Sequence, residues 1–145
     1  FVWVGGTDVG GLVELVHDAG LADVVQFLEH RPDSLLWVAA ADVFLLPARE
    51  DAFPLVCVEA AALARPITTF DNGGAVELIE QAGCGRVVPF PDVDRAAATL
   101  IELADRPDLR HQMGERGRAF AREHLTIDTA GPALLDVVER TMRRR

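Results

Sequence analysis

The 145-residue chain contains no lysine; all 14 of its basic residues are arginine. That excludes Schiff-base chemistry, a P-loop lysine and a lysine general base. Serine is nearly missing as well. Ser34 is the only one, and it lies in no G-x-S-x-G setting, so the one candidate for a serine nucleophile lacks its usual frame. Cys57 and Cys84 stand 27 residues apart without a C-x-x-C, which excludes a disulfide scaffold or a zinc ribbon and fits a reducing compartment. His17, His30, His111 and His124 are scattered without metal-ligand spacing and read as surface residues. No apolar run is long enough to span a bilayer: Leu35 to Ala48 is 14 residues with Asp42 inside it, against roughly 20 needed. Dinucleotide and P-loop fingerprints are missing too. Gly83-Cys84-Gly85 has G-x-G but no third glycine and leads into a strand, so a Rossmann dehydrogenase is disfavoured.

What is present is a globular composition. Half the residues are apolar, which excludes disorder, and the length suits one domain with a real core. The net charge of −9 argues against nucleic acid as a partner. It is unevenly spread: residues 1–105 carry five arginines against 17 acids, net −12, while residues 106–145 carry nine against six, net +3. The chain opens in a β-like run, FVWVGG, with no methionine and no signal-peptide pattern, and is expected to be a piece of a larger protein.

Short β-branched runs alternate with helical segments, the pattern of βαβ units on a parallel sheet. Strands are expected at Phe1–Val4, Val24–Leu28, Val43–Leu46, Ile67–Phe70 and Arg86–Pro89, nearly all apolar as in strands covered on both faces. Helices are expected at Gly10–Ala19, with Gly20 at C′, at Asp33–Ala40 capped by Asp33 or Ser34, at Pro54–Ala64, and at Ala75–Gln81. After Pro91 only helices follow. One opens at Asp92 or Asp94 and runs to about Asp105. The next has Pro107 at N1 and ends near His124. The last opens at Thr126 or Asp128 and reaches Arg145, with Gly131-Pro132 bending it early. The plan is a five-stranded open α/β sheet with a C-terminal helical tail.

Ligands of such sheets sit beyond the carboxyl ends of the strands, where helix N-termini also point. The segment PAREDAFPLVCVEAAALA follows the third strand. With Pro54 at N1, the amides of Leu55, Val56 and Cys57 would be free to hold an anion without any lysine. Glu59 lies in a helix that is apolar on every face; such helices are normally buried, so its carboxylate needs a partner, either ribose hydroxyls or a core donor. Asp51 or Glu50 has a reach suited to sugar hydroxyls, and Arg49 or Arg31 to a phosphate. Asp71-Asn72-Gly73-Gly74 before the fourth helix admits two readings: paired glycines that let a ligand approach the backbone closely or supply positive φ, or a turn capped by Asp71 or Asn72. Turn chemistry is the default for Gly5-Gly6 and Gly10-Gly11, and Arg143-Arg144-Arg145 complements a helix dipole.

The stretch AADVFLLPAREDAFPLVCVEAAALARPITTFDNGGAVELI resembles the signature of the C-terminal, donor-binding domain of family 4 glycosyltransferases with the GT-B fold. FVWVGG and LADVVQFLEHRPD before it, and GCGRVVPFPD after it, resemble the same domain, so the likeness spans nearly the whole chain. Its most specific part is a pair of acids separated by seven residues, met here by Asp51 and Glu59. The resemblance implies a Rossmann-like half of a GT-B fold at residues 1–125, followed by a helix at 126–145 that packs back toward an N-terminal acceptor domain.

The resemblance also implies a nucleoside diphosphate sugar as donor substrate, with no tightly bound cofactor and no metal requirement. Asp51 would hold the donor sugar, with Glu50 as the alternative; Glu59 would hold the ribose. Ala52, Phe53, Pro54, Leu55 and Val56 would line the sugar and diphosphate through the backbone, and Arg31 and Pro32 would border the base. Transfer would retain anomeric configuration, in a cytoplasmic enzyme with peripheral contact at the inner face of the membrane. Two residues depart from the family pattern: an aspartate stands at the usual glutamate, and Pro54 replaces a glycine. The family's basic diphosphate clamp lies ahead of the FVWVGG strand, outside these 145 residues, so this chain alone is expected to be inactive. A non-catalytic nucleotide-binding module and a GT-B-related nucleotide-sugar epimerase are the rival expectations.

Overall fold

The computed structural model describes residues 1–6 and 11–143. The expected helix start at Gly10, the first member of the Gly10-Gly11 pair, and Arg144-Arg145 lie outside the described residues. In order, the elements are β1 (Val2–Val4), α1 (Leu12–Asp18), β2 (Gln26–Leu28), α2 (Ser34–Ala40), β3 (Phe44–Leu46), α3 (Leu55–Ala62), β4 (Ile67–Phe70), α4 (Ala75–Ala82), β5 (Gly85–Val88), α5 (Val93–Asp105), α6 (Pro107–His124) and α7 (Ile127–Arg143). Strands alternate with helices and pair in parallel, as the βαβ pattern requires. The expected single five-stranded sheet is corrected: hydrogen bonding gives a two-stranded ladder, β1-β2, and a three-stranded one, β3-β4-β5. Strand pairing is a long-range event, and runs of apolar residues do not encode their neighbours.

Two compact units are present, Phe1–Trp37 and Val38–Arg145. In the first, Val2, Trp3 and Val4 pair with Gln26, Phe27 and Leu28, and Phe1 N donates to Val24 O at 2.7 Å. Gly20 takes φ +69° just after α1, the left-handed conformation expected of a C′ glycine.

In the second unit β4 is the central strand, and all four of its residues are buried. The core around it is built from Cys57, Ala60 and Ala61 of α3, Ile67, Ala75, Leu78 and Ile79 of α4, Cys84 and Ala121. Burial pushes the Cys57 thiol up to about 12 and the Cys84 thiol to about 11, so both stay protonated and unreactive in the native state. The signals that delimit the later helices act as expected. Asp92 Oδ1 accepts from Arg95 N at 2.8 Å, Pro107 is the first residue of α6, and Thr126 Oγ1 accepts from Thr129 N at 3.3 Å. The helix α7 is continuous from Ile127 to Arg143 with Pro132 inside it. Some arginines have structural work: Arg110 Nη1 donates to the last-turn carbonyls of Leu103 and Ala104, while its Nη2 reaches Asp42 at 3.2 Å.

Thr69 Oγ1 donates to Leu46 O at 3.1 Å, whereas the fully buried Thr68 Oγ1 has no partner among the described residues. Leaving a buried hydroxyl unpaired costs about 1–3 kcal/mol. Thr68→Val keeps the β-branched shape and removes that atom. It should raise unfolding stability by about 1 kcal/mol in urea titrations, and a loss of stability would show that the hydroxyl is satisfied in solution.

Candidate functional site

Because β3, β4 and β5 are parallel, the loops that follow them emerge at one edge of the ladder. Those loops are tied to each other. The side-chain amide of Asn72 donates to Arg49 O, Gly74 N donates to Asp51 O at 2.9 Å, and Phe90 N donates to Asp71 Oδ1 at 2.8 Å. The rings of Phe70 and Phe90 meet edge to face at 5.4 Å. This edge carries the whole segment 49–59 in which the sequence places its candidate acids.

The start of α3 differs from expectation by one residue, with consequences for its amides. Pro54 is the N-cap, with φ −71° and ψ 112°, rather than N1, and the helix begins at Leu55. Its pyrrolidine suits an extended residue as well as a helical one, and the Pro ring is buried under the loop. Cys57 N donates to Pro54 O at 3.0 Å, so the expected set of three free amides is reduced. Among the described residues, no backbone carbonyl accepts from Leu55 N or Val56 N. These two first-turn amides are what the helix offers to an anion.

Glu59 is exposed, which corrects the expectation of a buried carboxylate in need of a partner. Apolarity all round α3 does not mean burial all round. Its small residues, Cys57, Ala60 and Ala61, form the packed face, and the helix leaves Leu55, Glu59 and Ala62 on one outward stripe. The reason is distance: Gly117 of α6 approaches so closely that an added Cβ would lie 3.4 Å from Ala61 Cα. Only small side chains fit between the two helices, and Leu55, 72% exposed, is left outside.

Arg49, Glu50, Asp51 and Ala52 are all exposed on the loop. Phe53, 43% exposed, lines a cleft of about 420 Å³ with Leu78, Phe120, Leu125 and His124, so its ring belongs to the α4–α6 side of this unit. Arg31 and Pro32 lie in the first unit. Arg31 is already engaged: its Nε and Nη2 donate to Asp33 at 2.9 and 3.1 Å, and its guanidinium lies 5.9 Å from the centre of the Trp37 ring. The hydrogen bond from Arg31 holds the Asp33 carboxyl below its ordinary range. Its Nη1 amino group and the second N–H of Nη2 carry no such bond among the described residues and are open to a further anion.

The Asp71-Asn72-Gly73-Gly74 turn corrects two expectations, capping by Asp71 or Asn72 and positive φ at the glycines. Asp71 and Asn72 do not cap α4, since their side chains go to Phe90 N and Arg49 O; Gly74 is the N-cap, without a side-chain bond. Nor do the glycines serve positive φ. Gly74 has φ −66° and ψ −15°, a conformation open to any residue, yet a Cβ there would lie 1.7 Å from Ala52 O. What comes close is the backbone of the candidate loop itself. The signal was in the sequence as a glycine pair, but its reason sits 22 residues earlier. Among the described residues, no group of three His, Cys, Asp or Glu side chains is placed to hold a metal ion.

Comparison with known proteins gives the family. D-inositol 3-phosphate glycosyltransferase of Streptomyces coelicolor is 33% identical over 129 residues, 88% of this chain and 28% of that protein. The GDP-mannose-dependent alpha-(1-6)-phosphatidylinositol monomannoside mannosyltransferase of Mycobacterium tuberculosis is 33% identical over 141 residues, 91% of this chain and 37% of that protein. The chain thus spans about a third of the length of these relatives. Among solved structures, WaaG, a glycosyltransferase involved in lipopolysaccharide biosynthesis, matches 91% of this chain and 36% of its own, with 26% identity and a TM-score of 0.83. HepE of Anabaena, solved in complex with UDP, shares the fold, with a TM-score of 0.84 at 22% identity over 96% of this chain and 40% of its own. A family model described as glycosyl transferases group 1 matches residues 1–120, and the chain belongs to that family, with the parallel α/β architecture of one half of a GT-B glycosyltransferase.

Proposed function

We propose that this chain is the C-terminal, donor-binding part of a family 4, retaining GT-B glycosyltransferase that moves a sugar from a nucleoside diphosphate sugar to an acceptor. One observation carries the reading: the loop and helix start at 49–59 present Asp51, Glu59 and two unpaired amides, Leu55 N and Val56 N, from the carboxyl edge of a parallel ladder. Helix N-termini at that edge are suited to phosphate, and exposed carboxylates beside them to sugar hydroxyls.

In this reading the diphosphate lies over the first turn of α3, and Glu59, four residues beyond Leu55 on the same stripe, accepts from the ribose. Asp51 accepts from hydroxyls of the donor sugar. Ala52, Phe53 and Pro54 shape the approach through their backbone. Basic groups elsewhere in the full-length enzyme meet the charge that develops on the departing diphosphate. The donor is a substrate; no resident cofactor is required and none of the residues named calls for a metal. The UDP bound by HepE and the GDP-mannose dependence of the mycobacterial relative support a nucleoside diphosphate sugar as the donor. The helix α7 leaves Leu134, Leu135, Val138 and Met142 exposed, an apolar stripe that we assign to contact with the acceptor domain in the longer protein. We place that protein in the cytoplasm, at the inner face of the membrane.

Titration of the 15N-labelled chain with UDP, and separately with GDP, tests the site. Amide signals of Leu55, Val56 and Glu59 should shift with either nucleotide, the better base giving saturation at lower concentration. Shifts confined to α5, α6 and α7 would remove the site from this edge.

A further inference from the structure

We propose that Asn72 and Gly74 are positioning residues for the donor-sugar acid: the β4–α4 turn clasps the 49–53 loop by its backbone and holds Asp51 at its working height above the ladder. The proposal rests on the donor-site reading and adds a dependence that reading does not contain.

Four contacts make the clasp. The Asn72 side-chain amide donates to Arg49 O, and Gly74 N donates to Asp51 O at 2.9 Å. Between them, the bare Cα of Gly74 is pressed against Ala52 O, where a Cβ would be 1.7 Å away, and a Cβ on Gly73 would lie 3.0 Å from Asp51 O. The price of this contact is visible in α4, which begins with a glycine at the N-cap and no side-chain bond there. Asparagine, aspartate or serine at that position is worth about 1 kcal/mol to a helix. No such side chain fits beneath Ala52, and the Asp51 carbonyl takes over part of the capping. The loop that carries the exposed acids therefore has its main-chain carbonyls at 49 and 51 committed, one on each side of Glu50, while the side chains remain open to solvent.

The clasp acts on one part of the site. Leu55 N and Val56 N belong to α3, whose position is set by Pro54 and by the packing of Cys57, Ala60 and Ala61. Loosening the loop should move Asp51 and leave the diphosphate amides in place. Misplacing a reacting group by about 1 Å costs up to about 100-fold in rate, so the expected signature is a change in kcat with little change in KM for the donor.

The test uses the full-length enzyme with UDP-glucose and GDP-mannose, turnover being read as release of nucleoside diphosphate. Asn72→Asp and Asn72→Leu both remove the amide donor, with and without an added charge, at a half-buried position. Each should lower kcat about tenfold with donor KM within about twofold and melting temperature unchanged. Hydrogen exchange at the Gly74 amide should speed up in both variants. Gly74→Ala should show the same split more strongly; if it does not fold, the Asn72 variants still decide. Wild-type kcat in both Asn72 variants, in an enzyme that turns over donor, overturns the clasp alone. An enzyme that neither binds UDP or GDP nor consumes either donor overturns the donor-site reading, and this proposal with it.

Discussion

Asp51→Ala in the full-length enzyme is expected to lower turnover about 100-fold while changing donor KM far less, whereas Glu50→Ala should remain within about threefold of wild type. The magnitude follows from losing hydrogen bonds to a charged acceptor, about 1.5–3 kcal/mol, when they strengthen at the transition state rather than on binding. The assignment to Asp51 follows from its anchorage. Its carbonyl is held by Gly74 N, and the bare Cα of Gly74 fixes the next peptide through Ala52 O. A residue whose own carbonyl and the next are both held in place loses less freedom when its carboxylate meets a hydroxyl, which is the condition for a preorganised contact. Glu59→Ala acts at a different point. In its proposed role on the ribose it would remove a contact that the ground state and transition state share, so donor KM should rise about tenfold with kcat nearly intact. Steady-state release of nucleoside diphosphate separates the three variants. A silent Asp51→Ala beside a dead Glu50→Ala would move the role by one residue, and two silent variants would dismiss both acids.

Much of this arrangement is readable in the chain itself, and the parts that are not share a cause. Asp92, Pro107, Thr126 and Gly20 delimit helices through contacts made within a few residues, and each stands at the end it signals. The position of the acids at a carboxyl edge follows from strand alternation alone. Glu59 defeated the same reasoning because the packed face of α3 is chosen by α6, more than 50 residues later, whose Gly114 and Gly117 admit only small partners. Gly73 and Gly74 look like turn residues, yet their torsions are ordinary. It is the Asp51-Ala52 backbone, remote in sequence, that demands them. Pro54 shows a milder form of the limit, since one proline serves N-cap and N1 equally well and only the fold selects between them. Local rules are written locally; close approaches between distant backbones are not.

Gly114→Ala provides the sharpest test of that distinction, because local and long-range physics predict opposite signs. Gly114 lies inside α6, where replacing glycine by alanine should by helix propensity alone stabilise the protein by about 1 kcal/mol. In the folded chain its Cα is pressed against the end of α3, and an added Cβ would lie 2.1 Å from Ala64 O and 2.8 Å from Ala64 C. Neither atom can swing away. Ala64 sits at C′ of a Schellman turn, with φ +57°, its own N–H bonded to Ala61 O and Arg65 N to Ala60 O. Relief therefore requires α6 to withdraw from α3, opening the contacts of Gly117 with Cys84 and Ala61 and of Ala121 with the core. Overpacking of this kind typically costs 1–3 kcal/mol, and against a backbone carbonyl the upper part of that range applies. After the propensity gain, the net expectation is a loss of about 2 kcal/mol, roughly a 30-fold drop in the folding equilibrium constant. Urea unfolding followed by circular dichroism reads the difference directly as a lower midpoint at unchanged slope. A midpoint that stays put or rises would mean that α3 and α6 stand further apart in solution than this close contact requires.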